Sequence, residues 1–185
     1  MPKVKAFETL LSAQQLASKV TELAERINRD YAGKDVVLVG ILKGSFVFLS
    51  DLARKLRLDS MEICFMMVSS YGSGTSSSGN ITIKKDIETD LTGRHVIIVE
   101  DIVDSGNTLS YLKRYLSGRQ AASVKICTIL DKPSRRRVEL IPDYRGFEIP
   151  DAFVVGYGLD YDEKYRQLPD LCILHFEDEE ETAAQ

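Results

Sequence analysis

Strand-length apolar runs separated by helix-like stretches constrain this chain more than anything else in it. Residues 36–42 (V-V-L-V-G-I-L) and 96–99 (V-I-I-V) are apolar throughout, and 61–68 and 124–130 are nearly so. A strand wetted on one side would alternate apolar and polar residues. A continuous run fits a strand covered on both faces, as in a parallel sheet with helices packed on either side. Alternation of such strands with helices points to an α/β fold with crossover connections.

The intervening stretches support this. Ser12-x-x-Gln15 has the form of a capping box. Leu16, Val20, Leu23, Ile27 and Tyr31 follow at spacings of three or four, which predicts an amphipathic helix over 13–31 closed by Gly33. A second helix is expected from Gly44, with Phe48, Leu52 and Leu56 inward. A third is expected over 106–117, ending at Gly118. Residues 81–85, 153–157 and 171–176 read as further strands. The 185 residues suit one domain over 1–185, with the acidic tail 177–185 frayed. Residues 69–80 (S-S-Y-G-S-G-T-S-S-S-G-N) offer almost nothing to a core and read as a flexible loop.

The chemistry concentrates where the 96–99 strand ends, in E-D-I-V-D-S-G-N-T (100–108). Glu100 and Asp101 are adjacent acids, Asp104 is a third, and Ser105-Gly106-Asn107-Thr108 opens a helix. Helix-start N–H groups suit a phosphate, and a glycine lets backbone approach an anion. Two neighbouring carboxylates repel, so one titrates high unless a cation or sugar hydroxyls compensate. On a regular strand they would point to opposite faces. Both reach one ligand only if the chain turns there, and the chain is expected to leave the strand at this point.

This stretch resembles the phosphoribosyl-pyrophosphate (PRPP) motif of the type I phosphoribosyltransferases. More narrowly, the chain is similar to the bacterial hypoxanthine (6-oxopurine) phosphoribosyltransferases of that family. The resemblance covers most of 10–176. Besides the acidic motif, V-L-V-G-I-L-K-G-S-F (37–46), S-S-Y (69–71), L-D-K-P-S-R-R (130–136) and F-V-V-G-Y-G-L-D-Y (153–161) with Arg166 carry it, all in order.

The resemblance implies a mostly parallel twisted sheet flanked by helices. It also implies a small hood from the terminal segments and a lid near 69–80, with Ser70 and Tyr71 contacting PRPP. It implies transfer of ribose 5-phosphate from PRPP to hypoxanthine, and to guanine, with release of pyrophosphate. Glu100 and Asp101 would hold the ribose hydroxyls. Asp104, Ser105, Gly106, Asn107 and Thr108 would cradle the 5′-phosphate, and Asp104 would also move a proton at purine N7. Lys43, Gly44 and Arg166 would hold pyrophosphate, and the peptide before Lys43 is often cis in the family. Mg²⁺ is the implied cofactor, near Glu100, Asp101 and Asp160. Lys132 would donate to the 6-oxo group. Phe153 would stack on the purine, with Val154 at its edge, Ile102 over its other face and Asp160 nearby. Relatives form homodimers or homotetramers. Asn107 stands where some relatives carry Lys, a feature that fits the bacterial type.

A net charge of -4 argues against general nucleic-acid binding. No run of 18 apolar residues suggests a membrane span, and residues 1–11 lack the apolar core of a secretory signal. A cytoplasmic enzyme is expected. Cys64, Cys127 and Cys172 read as buried reduced thiols, and His95 and His175 as structural. Arg135, Arg136 and Arg137 read as a solvated basic stretch. No Walker-type loop, dinucleotide fingerprint or EF-hand spacing is present. The competing function is a regulator on the same fold that binds PRPP or nucleotide without turnover, since fold alone does not settle activity.

Overall fold

The computed structural model describes residues 3–70 and 81–177. In chain order the elements are β1 (Val4–Leu11), α1 (Ala13–Asp30), β2 (Asp35–Leu42), α2 (Phe46–Ala53), β3 (Ser60–Ser70) and β4 (Ile81–Lys85). There follow β5 (His95–Val103), α3 (Asn107–Ser117), β6 (Ser123–Asp131), a 3₁₀ turn (Pro133–Arg135), β7 (Tyr144–Glu148), β8 (Val154–Val155) and β9 (Leu171–Phe176).

Six strands form the central sheet in the order β4-β3-β2-β5-β6-β7. All neighbours run parallel except β3 and β4. The continuous apolar runs are buried on both faces, as their composition requires. Val36 and Leu38 of β2 pack with Leu16, Val20 and Leu23 of α1 and Phe48 and Leu52 of α2. Val37, Val39 and Ile41 face the other way, onto Leu109, Leu112 and Leu116 of α3. Each such fully buried side chain contributes about 1.5–3 kcal/mol.

From β2 the chain crosses over to β3 on one side, and from β5 it crosses to β6 on the other. The carboxyl ends of β2 and β5 therefore flank the topological switch point of the sheet, where open α/β sheets bind ligands.

Helix α1 is capped as its sequence indicates. Ser12 Oγ accepts from Gln15 N, and Gln15 Oε1 accepts from Ser12 N. Several boundaries differ from expectation. β5 continues through Asp101 to Val103, because Ile102 and Val103 keep pairing with Leu130 and Asp131 of β6. Helix α2 starts at Phe46, not Gly44, and Leu56 packs on the core from beyond its end. The expected strand 153–157 shrinks to Val154–Val155, because Gly156, Tyr157 and Gly158 all adopt positive φ. Cys64 is only partly buried, while Cys127 and Cys172 are buried, and all are free thiols.

Two strands had no sequence counterpart. β1 pairs antiparallel with β9, which also pairs with β8, giving a three-stranded sheet from the two ends of the chain. This is the hood. β7 closes the far edge of the central sheet. There Gly146 lies flat against the backbone of Ile129, and a Cβ would collide with the Ile129 carbonyl. Backbone cannot give way as a side chain can. Gly146→Ala is therefore expected to lower stability by about 1–3 kcal/mol, read as a reduced urea midpoint at unchanged slope.

Candidate active site

Three segments meet at the switch point without room between them. The loop after β2 carries a cis peptide between Leu42 and Lys43. Gly44 in that loop packs directly on the Asp101 carboxylate, so any side chain at 44 would overlap Oδ2. Gly158, at φ 103°, packs in turn on the Gly44 carbonyl. Glycine at 158 serves both the positive φ and the close approach.

Asp101 lies within β5, so the chain does not turn away at the acidic pair as the sequence suggested. The two carboxylates meet regardless. Asp101 N donates to Glu100 Oε1 at 3.2 Å, and Ile102 N donates to Asp101 Oδ1 at 2.7 Å. Burial pushes the Glu100 carboxyl well up, and the charge of Asp101 and its hydrogen bond add to the shift. Burial also raises Asp101, partly opposed by its hydrogen bonds and by the charge of Arg166. Desolvation disfavours both ionised forms, and mutual repulsion adds to the penalty on Glu100.

A divalent cation would relieve that penalty, and two hard oxygen donors suit Mg²⁺. Among the described residues no three such side chains converge on one point, so Glu100, Asp101 and Asp160 do not form a closed cage. Asp160 is instead ion-paired to Arg166, Oδ1 to Nη2 at 2.8 Å.

Beyond β5, Gly106 is the N-cap of α3 at φ 81°, with no side chain capping the helix. Asn107 N donates to Ser105 Oγ at 3.4 Å. The open N–H groups of α3 border a small cavity of about 70 Å³ between Asp104, Ser105, Gly106 and Thr108. Helix polarity favours an anion there.

A larger cavity of about 380 Å³ adjoins it, sharing Asp104. Asp101, Ile102, Lys132, Arg135, Phe153, Val154, Leu159 and Asp160 complete its wall. Lys132 is 8% exposed, and its Nζ donates to the Ala152 carbonyl at 2.6 Å. An ammonium has three donors, so two remain for a ligand. Phe153 is 47% exposed and is braced edge-on by Tyr161 and Phe176.

Lys43 and Arg166 share one partner. Both contact Glu163, at 2.9 Å from Lys43 Nζ and 3.2 Å from Arg166 Nη2. Their charges and hydrogen bonds hold the Glu163 carboxyl below its ordinary range. Arg166 Nη1 donates to the Gly158 carbonyl at 2.9 Å, while Arg166 Nε is buried with no hydrogen-bond partner among the described residues.

The structure thus gathers Lys43, Gly44, Glu100, Asp101, Ile102, Asp104, Ser105, Gly106, Asn107, Thr108, Lys132, Phe153, Val154, Asp160 and Arg166 around one crevice. Ser70 ends β3, paired with Ile81. Tyr71 and the rest of 71–80 lie outside the described residues. Two site residues escape sequence reasoning. Glu163 is one. Arg135 is the other; the expected solvated stretch holds for the exposed Arg135 and Arg137 and fails at Arg136. Arg135 ion-pairs with Asp104 and Asp151. Arg136 is largely buried against Asp131 and packs on Gly106. Arg137 N donates to the Ser105 carbonyl at 2.9 Å.

Comparison with known proteins identifies the family. A family model described as a phosphoribosyl transferase domain matches residues 6–162. The chain belongs to the phosphoribosyltransferase family. More narrowly, it is 49% identical over 164 residues to the hypoxanthine phosphoribosyltransferase of Escherichia coli K12, covering 88% of this chain and 92% of that protein. It is 50% identical over 167 residues to the hypoxanthine-guanine phosphoribosyltransferase of Streptococcus pneumoniae R6, covering 90% and 92%. A crystal structure of a hypoxanthine phosphoribosyltransferase from Staphylococcus aureus superposes with a TM-score of 0.88 at 43% identity, over 94% of this chain and 92% of that one.

The acidic pair has a measurable consequence. A carboxyl raised in the folded state binds its proton more readily there than in the unfolded chain. The stability it supplies is complete below the ordinary carboxylate range and is lost as pH rises through the raised value. Glu100→Gln removes that loss. With chelator present, the variant should melt about 2–4 °C above wild type at pH 8, and the gap should narrow toward pH 5. Scanning fluorimetry across this range tests it, and a gap independent of pH would refute it.

Proposed function

We propose that this protein transfers the 5-phosphoribosyl group of PRPP to hypoxanthine, and to guanine, giving IMP or GMP and pyrophosphate. The observation that carries the reading is the cavity, roomy enough for a purine, bounded by a buried lysine donor, a half-exposed aromatic ring and Asp104, next to an open helix start. Each part meets one part of the two substrates. The α3 start, with Asp104 to Thr108, receives the 5′-phosphate. Glu100 and Asp101 take the ribose 2′ and 3′ hydroxyls, which donate to carboxylates. Lys43, the Gly44 backbone and Arg166 take the pyrophosphate, whose charge displaces Glu163 and satisfies Arg166 Nε.

Phe153 stacks on the purine, Ile102 covers its other face, and Val154 presents backbone to its edge. Lys132 donates to the 6-oxo group. An adenine amino group there would meet a second donor, leaving a buried polar mismatch. Asp104, at the junction of the two cavities, takes the proton from N7 as the ring nitrogen attacks C1 of the ribose. A carboxylate within hydrogen-bond reach is competent for that work. The carboxylates along the sugar stabilise the positive charge that develops as the C1–oxygen bond breaks. Glu100, Asp101 and Asp160 would hold Mg²⁺, which would supply charge neutralisation for the leaving pyrophosphate. Ser70 and Tyr71 act from the lid, which excludes water from the activated sugar.

The chain works as a single domain, in the cytoplasm, as a homodimer or homotetramer. Large exposed apolar side chains at Phe46, Ile63 and Phe65 support self-association. No helix among the described residues is long and apolar enough to cross a membrane.

A spectrophotometric assay with PRPP and Mg²⁺ against hypoxanthine, guanine, xanthine and adenine, each alone, tests the reading. Product is expected from hypoxanthine and guanine and not from adenine. Binding of PRPP without product from any base would establish the regulator instead. Asp104→Asn should lower kcat by about 10²–10⁴-fold with little change in PRPP affinity, checked by steady-state kinetics and calorimetry. Lys132→Ala should raise the hypoxanthine KM by roughly ten- to a hundredfold, leaving the PRPP KM in place. Equal effects on both substrates would remove the donor role.

A further inference from the structure

Resting on the transfer reading above, we propose that Arg135 is a positioning residue. It fixes the Asp104 carboxylate by one oxygen so that the other meets the purine. Arg135 Nε lies 2.8 Å from Asp104 Oδ1. That oxygen is buried and accepts no hydrogen bond from any described residue, so the contact is an ion pair, while the side chain as a whole is 46% exposed. Oδ2 is left for a ligand, and Asp104 lines the cavity. A free carboxylate would rotate about χ2, whose torsion is broad and nearly two-fold. Anchoring Oδ1 selects one orientation.

The anchor itself is held. Arg135 Nη1 lies 3.2 Å from Asp151 Oδ1, and Asp151 precedes Ala152, whose carbonyl accepts from Lys132. Arg135 N donates to the Lys132 carbonyl, so the oxo donor and this guanidinium share one tight turn. The Arg137 N–H to Ser105 carbonyl bond and the packing of Arg136 on Gly106 fasten that turn to the loop bearing Asp104. A planar guanidinium suits the task, because its donors have fixed directions. Stability does not explain the pair. Arg135 is 49% exposed, and exposed ion pairs contribute little to folding. Chemistry does, since Asp101, Asp104 and Asp160 all line this cavity, with Lys132 and Arg135 as its cations.

The test is a double-mutant cycle on the full chain with PRPP, Mg²⁺ and radiolabelled hypoxanthine, incubated long enough to resolve slow turnover. Arg135→Ala should lower kcat by roughly ten- to a hundredfold while the PRPP KM moves less than about twofold. In an Asp104→Asn background the same change should move kcat by less than about twofold, because the two act through one carboxylate. Arg135→Lys, which keeps charge without the planar fork, should recover only part of the loss. Three results would overturn the proposal: no loss in Arg135→Ala, the same fold loss in both backgrounds, or complete recovery in Arg135→Lys. Absence of transfer by the wild-type protein would instead sink the transfer reading on which this rests.

Discussion

Two carboxylic acids buried side by side at a strand end set the terms for everything around them. Removing Glu100 and Asp101 from water is unfavourable, and placing them together is more so. The fold places them at the switch point between β2 and β5. Asp101 rests on Gly44, Gly44 rests under Gly158, and Gly158 presents its carbonyl to Arg166. A defect in the acidic strand end would therefore reach the β2 loop in one contact and the loop after β8 in two. The penalty also carries a use, because a site that is uncomfortable alone gains most from hydroxyl donors and a cation.

Charge in the rest of the crevice follows the same logic of internal partners. Lys132 is held by a carbonyl, Arg135 by two carboxylates, Lys43 by Glu163, and Arg166 by Glu163 and Asp160. Each of these cations has an internal partner, although Lys43 and Arg135 remain about half exposed. Their side chains are already directed, so less conformational freedom is lost on binding.

The central sheet was legible from sequence because its strands are covered on both faces. Burial of Val36 to Ile41 leaves no option but a continuous apolar run, and such a run is easy to see. The α1 start was legible because Ser12 and Gln15 are local partners. β1 was not, since most of its residues remain exposed and its hydrogen bonds go to β9, some 160 residues away. β7 is short, holds a glycine and reads as loop. The strand expected at 153–157 failed on glycines whose positive φ no pattern of hydrophobicity reports. Asp104, Lys132 and Phe153 could be named from the family resemblance together with their place beside strand ends. Arg135 could not, because its partners at 104 and 151 are brought to it only by the fold. Charge alone cannot distinguish an arginine in solvent from one turned inward, which is why Arg136 was misjudged.

The hood has an implication for how the molecule is made. β9 is the middle strand of the β1-β9-β8 sheet, so β8 has no partner until the chain has been translated through Phe176. Every strand of the central sheet, and the acidic strand end within it, precedes residue 149. A nascent chain emerging from the ribosome can thus assemble the acidic half of the crevice while the wall bearing Phe153 and Val154 is still unsupported. Competence to hold a base arrives with the final strand, as a single late event rather than a gradual one.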